Sequence, residues 1–204
     1  EHGGAIEKGA TVIETNRNGK KVDFYISNKC IDYTEAQLDR SIVSPKQIRL
    51  NLEEFKKSIY TDLFPERKVS WNYIPKTLIF AKDDHHATEI VNIVKEVFGE
   101  NFDDNIVPEK FVQKITYSAG DTDALIREFR INKEFRIAVT VTLVATGTDV
   151  KPLEVVFFMR DVNSDVLYTQ MKGRGCRVIS DDKLREVTPN ATTKDCYYIV
   201  DAIG

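Results

Sequence analysis

The chain has 204 residues, 42% of them hydrophobic and 30% charged, and its 29 basic and 32 acidic side chains leave a net charge of −3. This is globular composition with room for one large core, or a core plus an appendage; it excludes collagen-like repeats, coiled coil and wholesale disorder. No global basic excess points to nucleic acid, so any such contact must be local. No apolar run approaches the ~18 residues of a membrane span, and no basic-plus-apolar signal segment opens the chain. Cys30, Cys176 and Cys196 are widely spaced and form no C-x-x-C pair. Neither a disulfide framework nor a zinc site follows, and a reducing cytoplasm is the natural setting. The opening on Glu1 without Met, and the stop at Gly204 after a strand-like run, read as a segment of something longer.

In chain order, ATVIET and VDFYIS flank Asn18-Gly19, a hairpin signal because both turn residues tolerate positive φ. Thr34 with Gln37 fits a capping box, and Ser44-Pro45-Lys46-Gln47 fits one better, with Pro at the first helical position. Ile48, Leu52, Phe55, Ile59 and Leu63 then recur every three to four residues, which predicts an amphipathic helix ending near Pro65. From Pro75 onward the pattern changes. Strands are expected at 76–81, 111–118, 136–141, 154–159 and 195–203, with helices at 83–99, 121–131 and from Ser164 through 165–175. Gly99 is placed to end the first of these helices. Strands alternating with helices imply right-handed crossovers and a mostly parallel sheet, and a run such as VVFF implies a strand covered on both faces. The fold class is therefore α/β, with a hairpin-plus-helices appendage over 1–75 and the α/β domain over 76–204.

In parallel sheets, ligands meet the loops beyond the carboxyl ends of strands. Those loops hold Lys82-Asp83-Asp84, Ser118-Ala119-Gly120 and Ala145 to Asp149. Small residues in the last two let backbone N–H groups approach a phosphate. The sharpest feature is QMKGRGCR (170–177): two arginines three residues apart on a short turn suit bidentate capture of a polyanion. The plainer reading is a solvated helix C-terminus, where arginine favours the dipole. Asp83-Asp84-His85-His86 reads as helix-capping acids followed by surface histidines, since adjacent helical residues point apart and no spaced ligand partner is evident. Cys176 reads as a small packing residue, and Trp71 and Tyr73 as packing of the connecting segment.

TLIFAKDDHHATEIVNIV, VTVTLVATGTDVKPLEVVFFMRDVNS and QMKGRGCRVI, in that order and spacing, resemble the second motor domain of a superfamily-two helicase. T-G-x-D, about 20 residues, and Q-x-x-G-R-x-x-R form the broad signature. ATGTDVKPLEVVFFMRDVNS through QMKGRGCRVI, with the tail VTPNATTKDCYYIVDAIG, is similar to the R (restriction) subunit of type I restriction-modification enzymes. The resemblance covers about 76–204 and is weaker over 1–75, which it implies is a connection from a preceding motor domain.

This resemblance implies a RecA-like second motor domain of an ATP-dependent translocase on double-stranded DNA. A first motor domain in the same chain would hold most of the ATP and Mg2+, a nuclease domain would precede it, and separate modification and specificity subunits would complete the complex. Arg174 and Arg177 match the arginines of the last motif and resemble arginine fingers aimed at the γ-phosphate. Gln170 and Gly173 in that motif, and Gly147 and Asp149 in T-G-x-D, match positions near the nucleotide. For DNA backbone contact the candidates are Lys82, Ser118, Gly120, Thr140 and Thr142, short or cationic groups suited to sequence-independent phosphate binding. The family commonly has an acidic residue where Thr142 stands. The chain contains no G-x-x-x-x-G-K-[ST], no Asp-Glu pair after an apolar strand and no nuclease cluster, so it is expected to hydrolyse no ATP alone. Two rival readings stand beside this one. Another superfamily-two motor, such as a type III restriction subunit, would act without separate subunits. A non-enzymatic nucleotide-binding α/β module would owe its motif order to coincidence.

Overall fold

The computed structural model describes residues 4–6, 11–15, 21–26, 31–33, 42–116, 121–142, 149–162 and 165–202. The early strands pair as two small antiparallel sheets. β1 (Gly4–Ile6) lies beside β4 (Ile31–Tyr33), while β2 (Thr11–Thr15) lies between β3 (Lys21–Ile26) and β5 (Ile42–Val43). The β2–β3 register runs from Thr11 opposite Ile26 to Thr15 opposite Lys21, with an irregularity after Glu14. The two strands of the expected hairpin are therefore formed; its Asn18-Gly19 turn, and the Thr34–Gln37 capping box, lie outside the described residues.

Helix α1 (Pro45–Ser58) begins with Pro in its first turn, as its sequence predicts. Ser44 occupies the N-cap position, but its side chain makes no cap hydrogen bond, so the capping box with Gln47 is not made. The Ser44 carbonyl instead accepts from the Gln47 and Ile48 N–H groups at 3.0 and 3.2 Å. The helix runs on into a π-helical turn, Ile59–Leu63, just short of Pro65. Its apolar stripe is buried: Ile48, Leu52, Phe55 and Ile59 are all 5% exposed or less.

Beyond it, β6 (Thr77–Phe80), β7 (Val112–Lys114), β8 (Ile137–Thr140), β9 (Val155–Phe158) and β10 (Tyr198–Asp201) form one parallel sheet in the order β10-β9-β6-β8-β7. Every residue of β6, β8 and β9 is buried, which is why these strands read as continuous apolar runs rather than alternations. The side chains still alternate by face. Ile79, Val139, Val155 and Phe157 join α1 and α2 (Asp84–Gly99) in one cluster, where the Phe55 and Phe157 rings meet at 5.2 Å. Leu78, Phe80, Ala138, Val156 and Phe158 join Ile126 and Phe129 of α3 (Thr122–Ile131) and Met171 of α4 (Asp165–Lys172) in the other. Fully burying each such side chain is worth about 1.5–3 kcal/mol, so helices on both faces hold the sheet. Residues of the 44–74 stretch thus share a core with the parallel strands. Trp71 contributes by standing edge-on to Tyr60 at 5.5 Å.

Several boundaries differ from expectation. β7 is a three-residue strand within 111–118, and α4 stops at Lys172 before the arginines, which occupy the turn beyond it. A fifth helix, α5 (Asp181–Val187), has too weak an apolar pattern to be foreseen; only Leu184 and Val187 are buried. The expected cap at Ser164 lies outside the described residues.

Candidate functional site

The chain leaves α4 through Gly173, whose N–H donates to the Thr169 carbonyl at 3.0 Å, and Arg174, whose N–H donates to Met171 at 3.2 Å. These bonds tighten the helix end into a turn that presents Arg174, Cys176 and Arg177. Gly175 is buried against the Tyr197 ring, and a Cβ at that position would collide with it. Here the glycine is required by close approach. The arginine turn lies beside the stretch between β8 and β9. The Arg177 guanidinium pairs with the Asp149 carboxylate at 3.5 Å, with side chains 62% and 39% exposed. Arg174 borders an apolar pocket of Leu78, Ile115, Ile126, Phe129, Val150 and Leu153. Partial burial lowers the Arg174 pKa, the Arg177 charge adds to this, and Asp149 offsets it. The last motif and Asp149 therefore form one constellation. Gln170 is exposed on the last turn of α4, while Gly147 lies outside the described residues.

The DNA candidates fare differently. Lys82 is half-buried at the end of β6, and its backbone N–H donates to His86 Nδ1 at 3.2 Å. Thr142 is half-buried just past β8. Thr140 requires a correction: it is fully buried within β8, with no hydrogen-bond partner for its hydroxyl among the described residues, so it belongs to the interior rather than to a phosphate track. Its two covered faces follow from the apolar run that contains it. Ser118 and Gly120 lie outside the described residues.

The DDHH segment opens α2. Asp83 caps it by accepting the His86 N–H at 2.8 Å, as expected of a capping acid. Asp84 ties the helix to β7 through Lys114 Nζ at 2.8 Å and the Thr116 hydroxyl at 2.7 Å. The histidines are not surface groups: both are half-buried, and burial pushes the His86 imidazole down to about 4. Among the described residues no group of three or more His, Cys, Asp or Glu is arranged to hold a metal ion. Cys176 and Cys196 are exposed thiols, which corrects the packing role expected for Cys176.

Two features escaped the sequence reading. The first is a buried ionic cluster under the amino ends of the strands. Arg67 donates to Glu154 at 2.6 Å, with both side chains 2% exposed or less. Lys76 Nζ donates to the Asn132 and Phe135 carbonyls at 2.8 and 2.6 Å. Arg136 is wholly buried and donates to the carbonyls of Ile74, Lys133 and Val187 and to the Thr188 hydroxyl. Burial brings its pKa down to about 10, leaving it charged at neutral pH. The second is Lys194, whose ammonium reaches the arginine turn. Neither has a sequence signal, because lone charged residues beside strands look like surface.

No family model matches the chain. In sequence it is 28% identical, over 190 residues, to the endonuclease subunit of the type I restriction enzyme EcoKI from Escherichia coli K12. That match covers 87% of this chain and 14% of the relative, so the chain spans about one seventh of that protein's length. In structure it matches a fragment described as an HsdR subunit of a type I restriction enzyme from Vibrio vulnificus YJ016, with TM-score 0.54 at 22% identity, covering 78% of this chain and 28% of the other. It also matches domain 2 of the DEAD-box helicase Mss116p, solved bound to an RNA duplex, with TM-score 0.50 at 18% identity, covering 77% and 59%. Among the described residues no helix is long and apolar enough to cross a membrane. The chain is similar in sequence to a segment of a type I restriction endonuclease subunit, and its parallel sheet with helices on both faces shares the α/β fold of those two solved structures.

Proposed function

We propose that this chain is the second motor domain of a type I restriction R subunit, and that it supplies arginine fingers and DNA-backbone contacts to ATP-driven translocation along double-stranded DNA. The observation that carries the reading is the meeting of Arg177, Asp149 and Arg174 at one partly exposed corner. Arg174 and Arg177 stabilise charge on the γ-phosphate as it transfers, while Asp149 orients Arg177 or takes a ribose hydroxyl. Gln170 and Gly173 line the same nucleotide edge, and the T-G-x-D match gives Gly147 a role in nucleotide binding. A finger of this kind is worth about 10³–10⁵ in rate. Lys82, Ser118, Gly120 and Thr142 form the backbone track, which needs no sequence readout. Residues 1–75 connect this domain to a first motor domain, and modification and specificity subunits supply site recognition. Among the described residues no group of three or more His, Cys, Asp or Glu is arranged to hold a metal ion, and the Mg2+ that ATP carries is assigned in this reading to the first motor domain.

The test is the double substitution Arg174→Ala/Arg177→Ala in the whole R subunit with its partner subunits. DNA-stimulated ATP hydrolysis should fall by about 10³-fold or more, while the unfolding midpoint moves little because Arg177 is a surface charge and Arg174 is only partly buried. Wild-type turnover removes the finger role. Hydrolysis by the 204-residue chain alone would contradict the division of labour between the two motor domains.

A further inference from the structure

Lys194 stands four residues before β10, in the tail that follows the Q-x-x-G-R-x-x-R motif. It is half-buried, and its ammonium donates to three carbonyls: Lys151 at 2.9 Å, Gly175 at 2.9 Å and Arg177 at 2.8 Å. An ammonium has three donors, so all are spent on backbone, and none on a carboxylate. The three carbonyls belong to two separate segments. Lys151 follows Asp149 by two residues, while Gly175 and Arg177 flank Cys176 in the arginine turn. The Asp149–Arg177 ion pair spans the same gap at 3.5 Å between side chains more than a third exposed, a geometry too solvated to hold two loops in register. Charge-assisted bonds to carbonyls are stronger than neutral ones, and here they bridge the same two segments. Tyr197, three residues further on, packs its ring against Gly175 and hydrogen-bonds Cys176. The segment before β10 therefore cradles the turn at successive points.

We propose that Lys194 is a positioning residue: it clasps the arginine turn to the Asp149 segment and so sets where Arg174 and Arg177 stand during phosphoryl transfer. This rests on the finger reading above. It predicts an effect on turnover rather than on nucleotide affinity, because Lys194 itself meets only backbone. A displacement of about 1 Å at a reacting group costs about 100-fold in rate.

The experiment compares Lys194→Met and Lys194→Arg with wild type in the whole R subunit complex, alongside Arg174→Ala/Arg177→Ala. Lys194→Met keeps the stem and removes the donors. Its kcat for DNA-stimulated ATP hydrolysis should fall about 10- to 100-fold, with KM for ATP within about twofold. Lys194→Arg, which restores charge and donors, should recover most of the loss. Hydrogen exchange at the Gly173 to Arg177 amides should quicken about 10-fold in Lys194→Met while the β6 and β8 amides stay protected. Wild-type kcat in Lys194→Met, beside a dead arginine double variant, overturns the clasp and leaves the fingers standing. A rise in KM alone, or loss of protection across the whole sheet, also overturns it by assigning Lys194 to binding or to the fold. Full turnover in the arginine double variant sinks the finger reading itself.

Discussion

Arg136 and Arg177 are both guanidinium groups influenced by a carboxylate, yet the chain uses them in opposite ways. Arg136 is wholly buried and spends its N–H groups on the carbonyls of Ile74, Lys133 and Val187 and on Thr188. Arg177 keeps 62% of its side chain at the surface, with a long ion pair to Asp149. The first cation closes the amino end of the sheet by satisfying backbone groups that have no strand or helix partner. The second is held loosely from the side while its backbone is held firmly by Lys194. A cation consumed by its own protein's carbonyls belongs to the fold. One whose backbone is fixed while its head stays wet is placed to meet something else.

The sharpest way to break this contrast is to remove the anion of the buried cluster. Glu154 is the carboxylate that faces Arg67 directly, and it also influences Arg136 and Lys76. Glu154→Ala takes the buried carboxylate away from Arg67, leaving it only a 3.9 Å contact with exposed Glu66, and should cost about 3–5 kcal/mol in chemical unfolding. Arg177→Ala, at the exposed end, should cost less than about 0.5 kcal/mol. Equal losses at the two sites would erase the distinction between fold cations and site cations.

A smaller effect is expected at Gly175, where the two regimes meet. Gly175→Ala pushes a methyl into the Tyr197 ring and should cost about 1–3 kcal/mol as overpacking. Combining it with Tyr197→Ala should return part of that loss, because the two residues are in contact and their effects do not add. Additive losses would mean that the backbone, rather than the ring, sets the limit.

How much of this was legible in the sequence depends on what kind of signal each residue leaves. The parallel sheet was visible because two-sided burial writes itself as apolar runs, TLIF, IAVT and VVFF. The arginine turn was visible through its motif. Thr140 reads as a phosphate contact because a hydroxyl at a strand end looks the same in sequence whether it faces solvent or core; the structure buries it. The Ser44 capping box failed although Pro45 was well placed, since spacing fixes the backbone of a cap but not its rotamer. Lys194, Lys76 and Arg136 were invisible for a different reason. Their partners are main-chain carbonyls brought in by distant segments, and a carbonyl carries no residue type to read.

The last effect, confined to acid pH, concerns a third way to treat a buried titratable group, which is to leave it neutral. His86 accepts the Lys82 N–H through Nδ1 at 3.2 Å, and burial holds its pKa near 4 against Asp83, which pulls upward. An unfolded histidine titrates near 6.5. Between those values the unfolded chain binds the proton and the folded chain does not. The His86 contribution is therefore complete above about pH 6.5 and drains away as pH falls toward about 4. At about 1.36 kcal/mol per unit, the loss is bounded at roughly 3 kcal/mol. His86→Asn keeps an acceptor for the Lys82 N–H but cannot titrate. Unfolding midpoints taken from pH 4.5 to 7.5 should fall more steeply with acid in the wild type than in the variant. Parallel curves would assign the acid sensitivity to carboxylates, leaving charge pairing as the dominant way this fold handles its buried ionisable groups. Converging curves above pH 6.5, and separation only below it, would show that burial, aided by the Lys82 neighbour, keeps the imidazole uncharged where α2 begins.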